Sequence, residues 1–172
     1  MLVTSLVAGC SSAPEGPATT KDPATSSGTG AAAKTGSAVP ATFKFTGRTL
    51  DGKAFDANTL AGKPAILWFW APWCATCASE AQSIVDIQDE YAGKLNILGV
   101  AGMGDNASMR QFVTDLSVYD VPHLDDGAGK IWKRFGITQQ STYVLVDRVG
   151  RIVKTGYLDD LQLTAEVRKL TA

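Results

Sequence analysis

The chain has 172 residues, 45% hydrophobic and 19% charged, with a formal net charge of -1. That length suits one domain plus a tail, and the near-zero charge removes the electrostatic basis for nucleic-acid binding. No apolar run approaches the ~18–20 residues of a membrane span, and 3 Cys with 1 His would have to be spent almost entirely to close one four-ligand zinc site.

Every aromatic residue lies at or after Phe43. Between residues 11 and 40, 25 of 30 residues are Ser, Thr, Ala, Gly or Pro, a composition that cannot bury enough apolar surface to offset its ordering entropy. Residues 11–42 therefore read as a flexible tether, and residues 43–172 as one domain with its own core. Residues 1–10 end in Val7-Ala8-Gly9-Cys10, which resembles the bacterial lipobox. The resemblance implies a lipoprotein signal remnant, cleavage before Cys10 and lipid on its sulfur. No Lys or Arg precedes Cys10, so in-frame upstream codons are expected to encode the basic residues of a signal peptide. Such an anchor ties a protein to a membrane without spanning it.

In chain order, the domain opens with a hairpin turning at Asp51-Gly52. Residues 65–70 are a continuous apolar run, as in a strand buried on both faces. Residues 76–91 have helical spacing, with Ile84, Ile87 and Tyr91 on one face. A strand follows at 95–101. The next helix is capped at Asp105 or Asn106 and runs to about Leu116, with Met109, Phe112, Val113 and Leu116 inward. Asp125-Asp126-Gly127 reads as a solvated turn. A short helix at 131–135 ends at Gly136, and strands at 142–146 and 151–155 flank a turn. A helix over 161–170, capped by Asp159 or Asp160, closes the chain. The alternation predicts an α/β domain: a mixed central sheet with helices on both faces and an N-terminal β-hairpin.

Chemistry concentrates at Trp73-Cys74-Ala75-Thr76-Cys77. Two cysteines separated by two residues, after an apolar strand and at the start of a helix, suit a redox pair. On a first helical turn their sulfurs can bond without large strain. The free N–H groups and dipole of the helix N-terminus favour a thiolate on the first. Cys74 is the expected nucleophile, and Cys77 the residue that resolves the mixed disulfide. An inert disulfide or half a metal site are the bland alternatives.

The segment Leu67-Trp68-Phe69-Trp70-Ala71-Pro72-Trp73-Cys74-Ala75-Thr76-Cys77 resembles the active-site segment of extracytoplasmic thioredoxin-fold proteins of the TlpA/ResA/DsbE type. Within that group it is most similar to the actinobacterial DsbE/DsbF-like proteins. The resemblance spans about residues 43–170. It implies a thioredoxin-like fold and a thiol–disulfide oxidoreductase that needs no cofactor beyond the Cys74–Cys77 disulfide and no metal. It also implies an extracytoplasmic location, lipid-anchored through Cys10 or secreted. The partners it implies are client proteins with thiols or disulfides and a membrane redox partner, not nucleic acid.

Supporting residues follow from the same resemblance. Glu80 matches a glutamate tied to cysteine acidity and proton transfer, with a dipole-favoured first-turn Glu as the alternative. Trp70 and Trp73 are expected to wall the dithiol, Trp73 also touching substrate; Trp68 and Phe69 are expected to be core. Thr76, Gln140 and Ser141 border the pair. Three family prolines are absent: Ala75 follows the first Cys, Ala81-Gln82 follows Glu80, and Ser141 stands where the family has a cis-proline. A non-proline cis bond costs ~3 kcal/mol, so a rebuilt or shifted loop with a trans bond is expected.

Two other function classes compete. Cys74 and Cys77 could hold copper or a shared iron–sulfur cluster, with His123 as a conceivable further ligand; an ordinary strand-edge or loop His is the plainer reading. A thiol peroxidase is disfavoured because Ala71, not Thr or Ser, stands three residues before Cys74.

Overall fold

The computed structural model describes residues 39–172. Cys10, the lipobox and most of the predicted tether lie outside the described residues. The described chain starts ahead of the boundary at Phe43 and is already tied to the domain there. Thr42 Oγ1 donates to the Gly150 carbonyl at 2.6 Å, and Arg134 Nη2 donates to the Ala41 carbonyl at 2.6 Å.

A two-stranded hairpin comes first, β1 (Thr46–Arg48) against β2 (Ala54–Asp56). A five-stranded sheet follows in the order β5-β4-β3-β6-β7. Its strands are β3 (Ala65–Trp70), β4 (Asn96–Ala101), β5 (His123–Asp125), β6 (Thr142–Val146) and β7 (Ile152–Gly156). β4 is parallel to β3 and β5; β6 is antiparallel to β3 and β7. The helices are α1 (Ala75–Glu90), α2 (Asn106–Asp115), α3 (Lys130–Arg134) and α4 (Asp160–Thr171). This is the thioredoxin-like fold, a mixed sheet covered on both faces.

β3 shows why the apolar run is continuous. Its side chains alternate between the faces, and every one is buried. Ile66, Trp68 and Trp70 face a core built with Ile84 and Ile87 of α1, Met109 and Phe112 of α2, and Leu163 and Val167 of α4. Ala65, Leu67 and Phe69 face the opposite core, with Phe43, Leu124 and, from α3, Ile131 and Trp132. Burying one such large side chain stabilises the fold by ~1.5–3 kcal/mol, so a polar residue on either face of β3 has no good place to go.

The helix caps were legible in the side chains. Asp105 accepts from Ser108 N at 2.8 Å and starts α2. Asp159 accepts from Gln162 N, and Gln162 answers on Asp159 N, a capping box that starts α4.

Two elements depart from the sequence reading. β5 was not foreseen. It is three residues long and holds a His and an Asp, so only its pairing with β4 reveals it. It fits because Gly99 lies opposite: a side chain there would run into the His123 imidazole. Asp126 is not a solvated turn residue. It is buried, and its carboxylate accepts the N–H groups of Lys130, Ile131 and Trp132 at 2.8–2.9 Å. These N–H groups open α3 and have no intrahelical partner.

Candidate active site

β3 delivers the chain to Ala71-Pro72, and α1 begins at Ala75. Cys74 is the N-cap of α1; its Sγ accepts the Cys77 N–H at 2.9 Å. Its backbone is held from both sides, by Cys74 N to the Ala71 carbonyl and Ala78 N to the Cys74 carbonyl. Cys74 and Cys77 form a disulfide with a Cα–Cα distance of 5.2 Å, inside the range that a disulfide tolerates. Cys77 is wholly buried and Cys74 nearly so, at 5% exposure, so a partner meets the pair at Cys74.

Two grooves open on Cys74. A cleft of about 350 Å³ is lined by Cys74, Thr76, Gln139, Gln140, Ser141 and Tyr157. A second, of about 680 Å³, runs between α1 and α2 and includes Trp73, Cys74, Ala78, Phe112 and Leu116. Trp73 is 59% exposed and fixed at the rim, where its Nε1 donates to the Met103 carbonyl at 2.7 Å. Thr76, Gln140 and Ser141 are thus brought together with Cys74 around one cleft.

Trp70 is placed differently. It is wholly buried, stacked on Phe112 at 4.3 Å, and its Nε1 donates to His123 Nδ1 at 3.2 Å. That makes it a core residue whose polar atom points at His123. His123 Nε2 donates to the Val118 carbonyl at 2.9 Å, and burial lowers its pKa from 6.5 to about 4, so the ring is neutral in ordinary buffers. Both nitrogens are committed, so His123 is a satisfied core histidine on a strand edge. Among the described residues, no group of three or more His, Cys, Asp or Glu side chains gathers where one metal ion could sit.

Trp68 is core, as read from the sequence, and it also faces the dithiol helix. Its Nε1 donates to Glu80 Oε2 at 2.8 Å. Glu80 Oε1 accepts from Ser141 Oγ at 2.5 Å. Glu80 is 4% exposed, and burial raises its pKa from the ordinary carboxyl value against the pull of Ser141, Trp68 and Tyr143. Tyr143, paired across strands with Trp68, buries its hydroxyl beside the same carboxyl, too far for a close hydrogen bond yet placed as a third donor that lowers the Glu80 pKa. Trp68 and Tyr143 are the residues that sequence reasoning missed. One signal was available: Glu80 lies four residues before Ile84, on the apolar stripe of α1, and so had to be buried.

Ser141 has a φ of 57°. Proline, fixed near -65°, cannot adopt it. The loop is therefore not the family's proline loop with one side chain exchanged.

Comparison with known proteins agrees with this geometry. Residues 34–171 match the redoxin family. The chain is 34% identical over 134 residues to the soluble secreted antigen MPT53 of Mycobacterium tuberculosis, covering 76% of each chain. A solved structure of MTB DsbF in mixed oxidised and reduced forms is 39% identical; the likeness covers 77% of this chain and 99% of that one, with a TM-score of 0.72. A secreted Mycobacterium tuberculosis disulfide oxidoreductase homologous to E. coli DsbE is 32% identical over 75% of this chain and 98% of that one, with a TM-score of 0.68. Fold, dithiol placement and relatives agree, and the chain belongs to the redoxin family as a thiol–disulfide oxidoreductase of the TlpA/ResA/DsbE type.

Proposed function

We propose that this protein exchanges disulfides with client proteins outside the cytoplasm, through Cys74 and Cys77 and with no further cofactor. The observation that carries the reading is the asymmetry of the pair: Cys74 caps α1 and borders two grooves, whereas Cys77 lies wholly buried one turn along. A client thiolate attacks Cys74 Sγ, and Cys77 leaves. In the reverse direction Cys74 attacks a client disulfide and Cys77 resolves the mixed species. The Cys77 N–H and the N-terminus of α1 stabilise negative charge on Cys74 Sγ in both directions.

Glu80 is the proton carrier for the buried Cys77. It sits at i+3 on the same helix face, and burial favours its neutral, proton-bearing form. Trp73, Thr76, Gln140 and Ser141 form the surface that the client crosses. Oxidation of clients, or general thiol exchange, is the direction we assign, by the resemblance to the actinobacterial DsbE/DsbF-like proteins.

The test is a pair of cysteine variants mixed with a reduced dithiol peptide or its disulfide form. Cys77→Ser accumulates a mixed disulfide through Cys74, and Cys74→Ser exchanges nothing. A Cys74→Ser protein with full exchange activity overturns the proposal. A titrated Cys74–Cys77 reduction potential assigns the direction, since ~30 mV corresponds to ~1.4 kcal/mol.

The location of the protein is part of the proposal. The lipobox-like Val7-Ala8-Gly9-Cys10 and the composition of residues 11–42 support a lipid anchor on Cys10 in a cell membrane, where a membrane redox partner would reset the dithiol. Mass analysis of the protein from its native membrane fraction should show diacylglycerol on Cys10. Recovery only as a soluble chain with an unmodified Cys10 sinks the anchor and leaves the redox reading intact.

A further inference from the structure

Glu80 is gripped by side chains from two separate elements, Trp68 of β3 and Ser141 of the loop before β6. The Ser141 loop also lines the cleft at Cys74. We propose that Ser141 is a positioning residue for disulfide exchange: its hydroxyl holds the Glu80 carboxyl and links that proton carrier to the loop over which the client passes. The inference rests on the reading of Cys74 and Cys77 as the exchange pair and of Glu80 as the proton carrier for Cys77.

Three observations support it. Ser141 is buried, yet it holds a left-handed backbone with a φ of 57°. Such a conformation costs a non-glycine residue ~1 kcal/mol or more and persists only where the surroundings enforce it. What it achieves here is to turn the hydroxyl onto Glu80. Next, Ser141 and Trp68 occupy different oxygens of the carboxyl, and both donate. Both donors can stay in place on the carboxylate that remains once the proton has moved to Cys77. Lastly, Tyr143 Oη is buried beside the same carboxyl with no close partner and stands as a third donor toward its ionised form. The ionisable groups facing Glu80 are Cys77 on its own helix, Tyr143 on β6 and Asp160 at the start of α4.

A client thiolate forms a bond to Cys74 Sγ, and the Cys74–Cys77 bond breaks with its electron pair on Cys77 Sγ. Protonated Glu80 gives its proton to Cys77 and becomes a carboxylate held by Ser141 Oγ–H and Trp68 Nε1–H. The client's second thiolate then attacks the client sulfur of the mixed disulfide, and Cys74 leaves as a thiolate. Two electrons pass from the client to the dithiol. Ser141 forms no covalent bond; it sets how readily Glu80 releases the proton.

The experiment is the pH profile of exchange with a reduced dithiol peptide, each rate divided by the peptide's thiolate fraction. Ser141→Gly removes the hydroxyl and accepts the backbone without strain; Ser141→Ala removes the hydroxyl and keeps the strain. A donor to a carboxylate lowers its pKa, so both variants should move the limb set by Glu80 to higher pH, by about one unit for a charge-assisted bond. Glu80→Gln should abolish that limb, and adding Ser141→Gly to it should then change nothing. If Glu80→Gln abolishes the limb but neither Ser141 variant moves it, Ser141 only shapes the loop and the inference fails alone. Should only Ser141→Ala move the limb, backbone strain is the cause and the inference again fails. A limb that survives Glu80→Gln removes the proton-carrier reading and this inference together. Cys74→Ser tests the exchange pair separately.

Discussion

Two carboxyl groups are buried in this domain, Glu80 at 4% and Asp126 at 5% exposure, and they are held in opposite ways. Asp126 accepts three backbone N–H groups from the first turn of α3. Its partners cannot rotate away without unwinding a helix, so it behaves as part of the scaffold. Glu80 accepts from two side chains, with the Tyr143 hydroxyl beside it. The buried Trp68 indole is fixed, but the Ser141 and Tyr143 hydroxyls turn about one bond each without unwinding any element. Equal burial therefore says nothing about role; the chemistry of the partners does.

This contrast can be broken by substitution. The largest effect on stability should come from Asp126→Ala, which strands three N–H groups at the start of α3. A loss of about 3–4 kcal/mol is expected in urea denaturation, with exchange activity per folded molecule unchanged. Activity that falls in step with neither stability nor folding would show that Asp126 is not merely scaffold.

His123 offers the next effect, on the same face of the sheet as Glu80. Its folded pKa is depressed to about 4 from 6.5. The stability it contributes is present above pH 6.5 and drains away as pH falls toward 4, because the unfolded chain binds the proton first. The loss is on the order of 3 kcal/mol, read as the difference in urea midpoints between pH 7 and pH 4. His123→Phe should lose that slope. Should the slope remain, other groups carry it.

Gly99→Ala pushes a methyl onto the His123 ring and should cost about 1–3 kcal/mol. An unchanged midpoint would mean that β5 yields at no cost.

Glu80 has the opposite sign. Its folded pKa is raised from 4.5 by burial. The stability linked to it is complete below pH 4.5 and is lost as pH rises through the folded value. Glu80→Gln should therefore gain on the wild type as pH increases, an effect seen as converging or crossing denaturation curves. Parallel curves would mean that burial does not shift Glu80.

The smallest stability effect belongs to Trp73→Phe. It removes one exposed hydrogen bond to the Met103 carbonyl, worth ~1 kcal/mol or less, yet it should slow exchange with a dithiol peptide. Unchanged exchange would take Trp73 out of the client surface.

Much of the molecule was legible before any coordinates. The apolar run in β3, the α1 stripe, the caps at Asp105 and Asp159 and the Cys-x-x-Cys at a strand-to-helix junction each leave a local signature. Roles within the aromatic segment were not. Trp68 and Trp70 share a face and a residue type, and nothing in their spacing says that one indole meets Glu80 and the other His123. β5 and the burial of Asp126 were missed as well. β5 depends on a partner more than twenty residues away, β4, whereas the partners of Asp126 lie only four to six residues on and were missed because an Asp-Asp-Gly run reads equally well as an open turn.

The sequence by itself determined a mixed sheet with helices on both faces and the position of the cysteine pair, because helical and strand periodicity and a two-residue cysteine spacing are local properties of the chain; the thioredoxin-like fold was implied by the family resemblance. The tertiary structure decided what surrounds that pair. Ser141 meets Glu80 across 61 positions, and Trp68 faces Tyr143 across two antiparallel strands. Those distances in sequence are closed only by packing the sheet against α1. The pKa of a buried carboxyl is set by what packing brings to it, not by its neighbours in the chain.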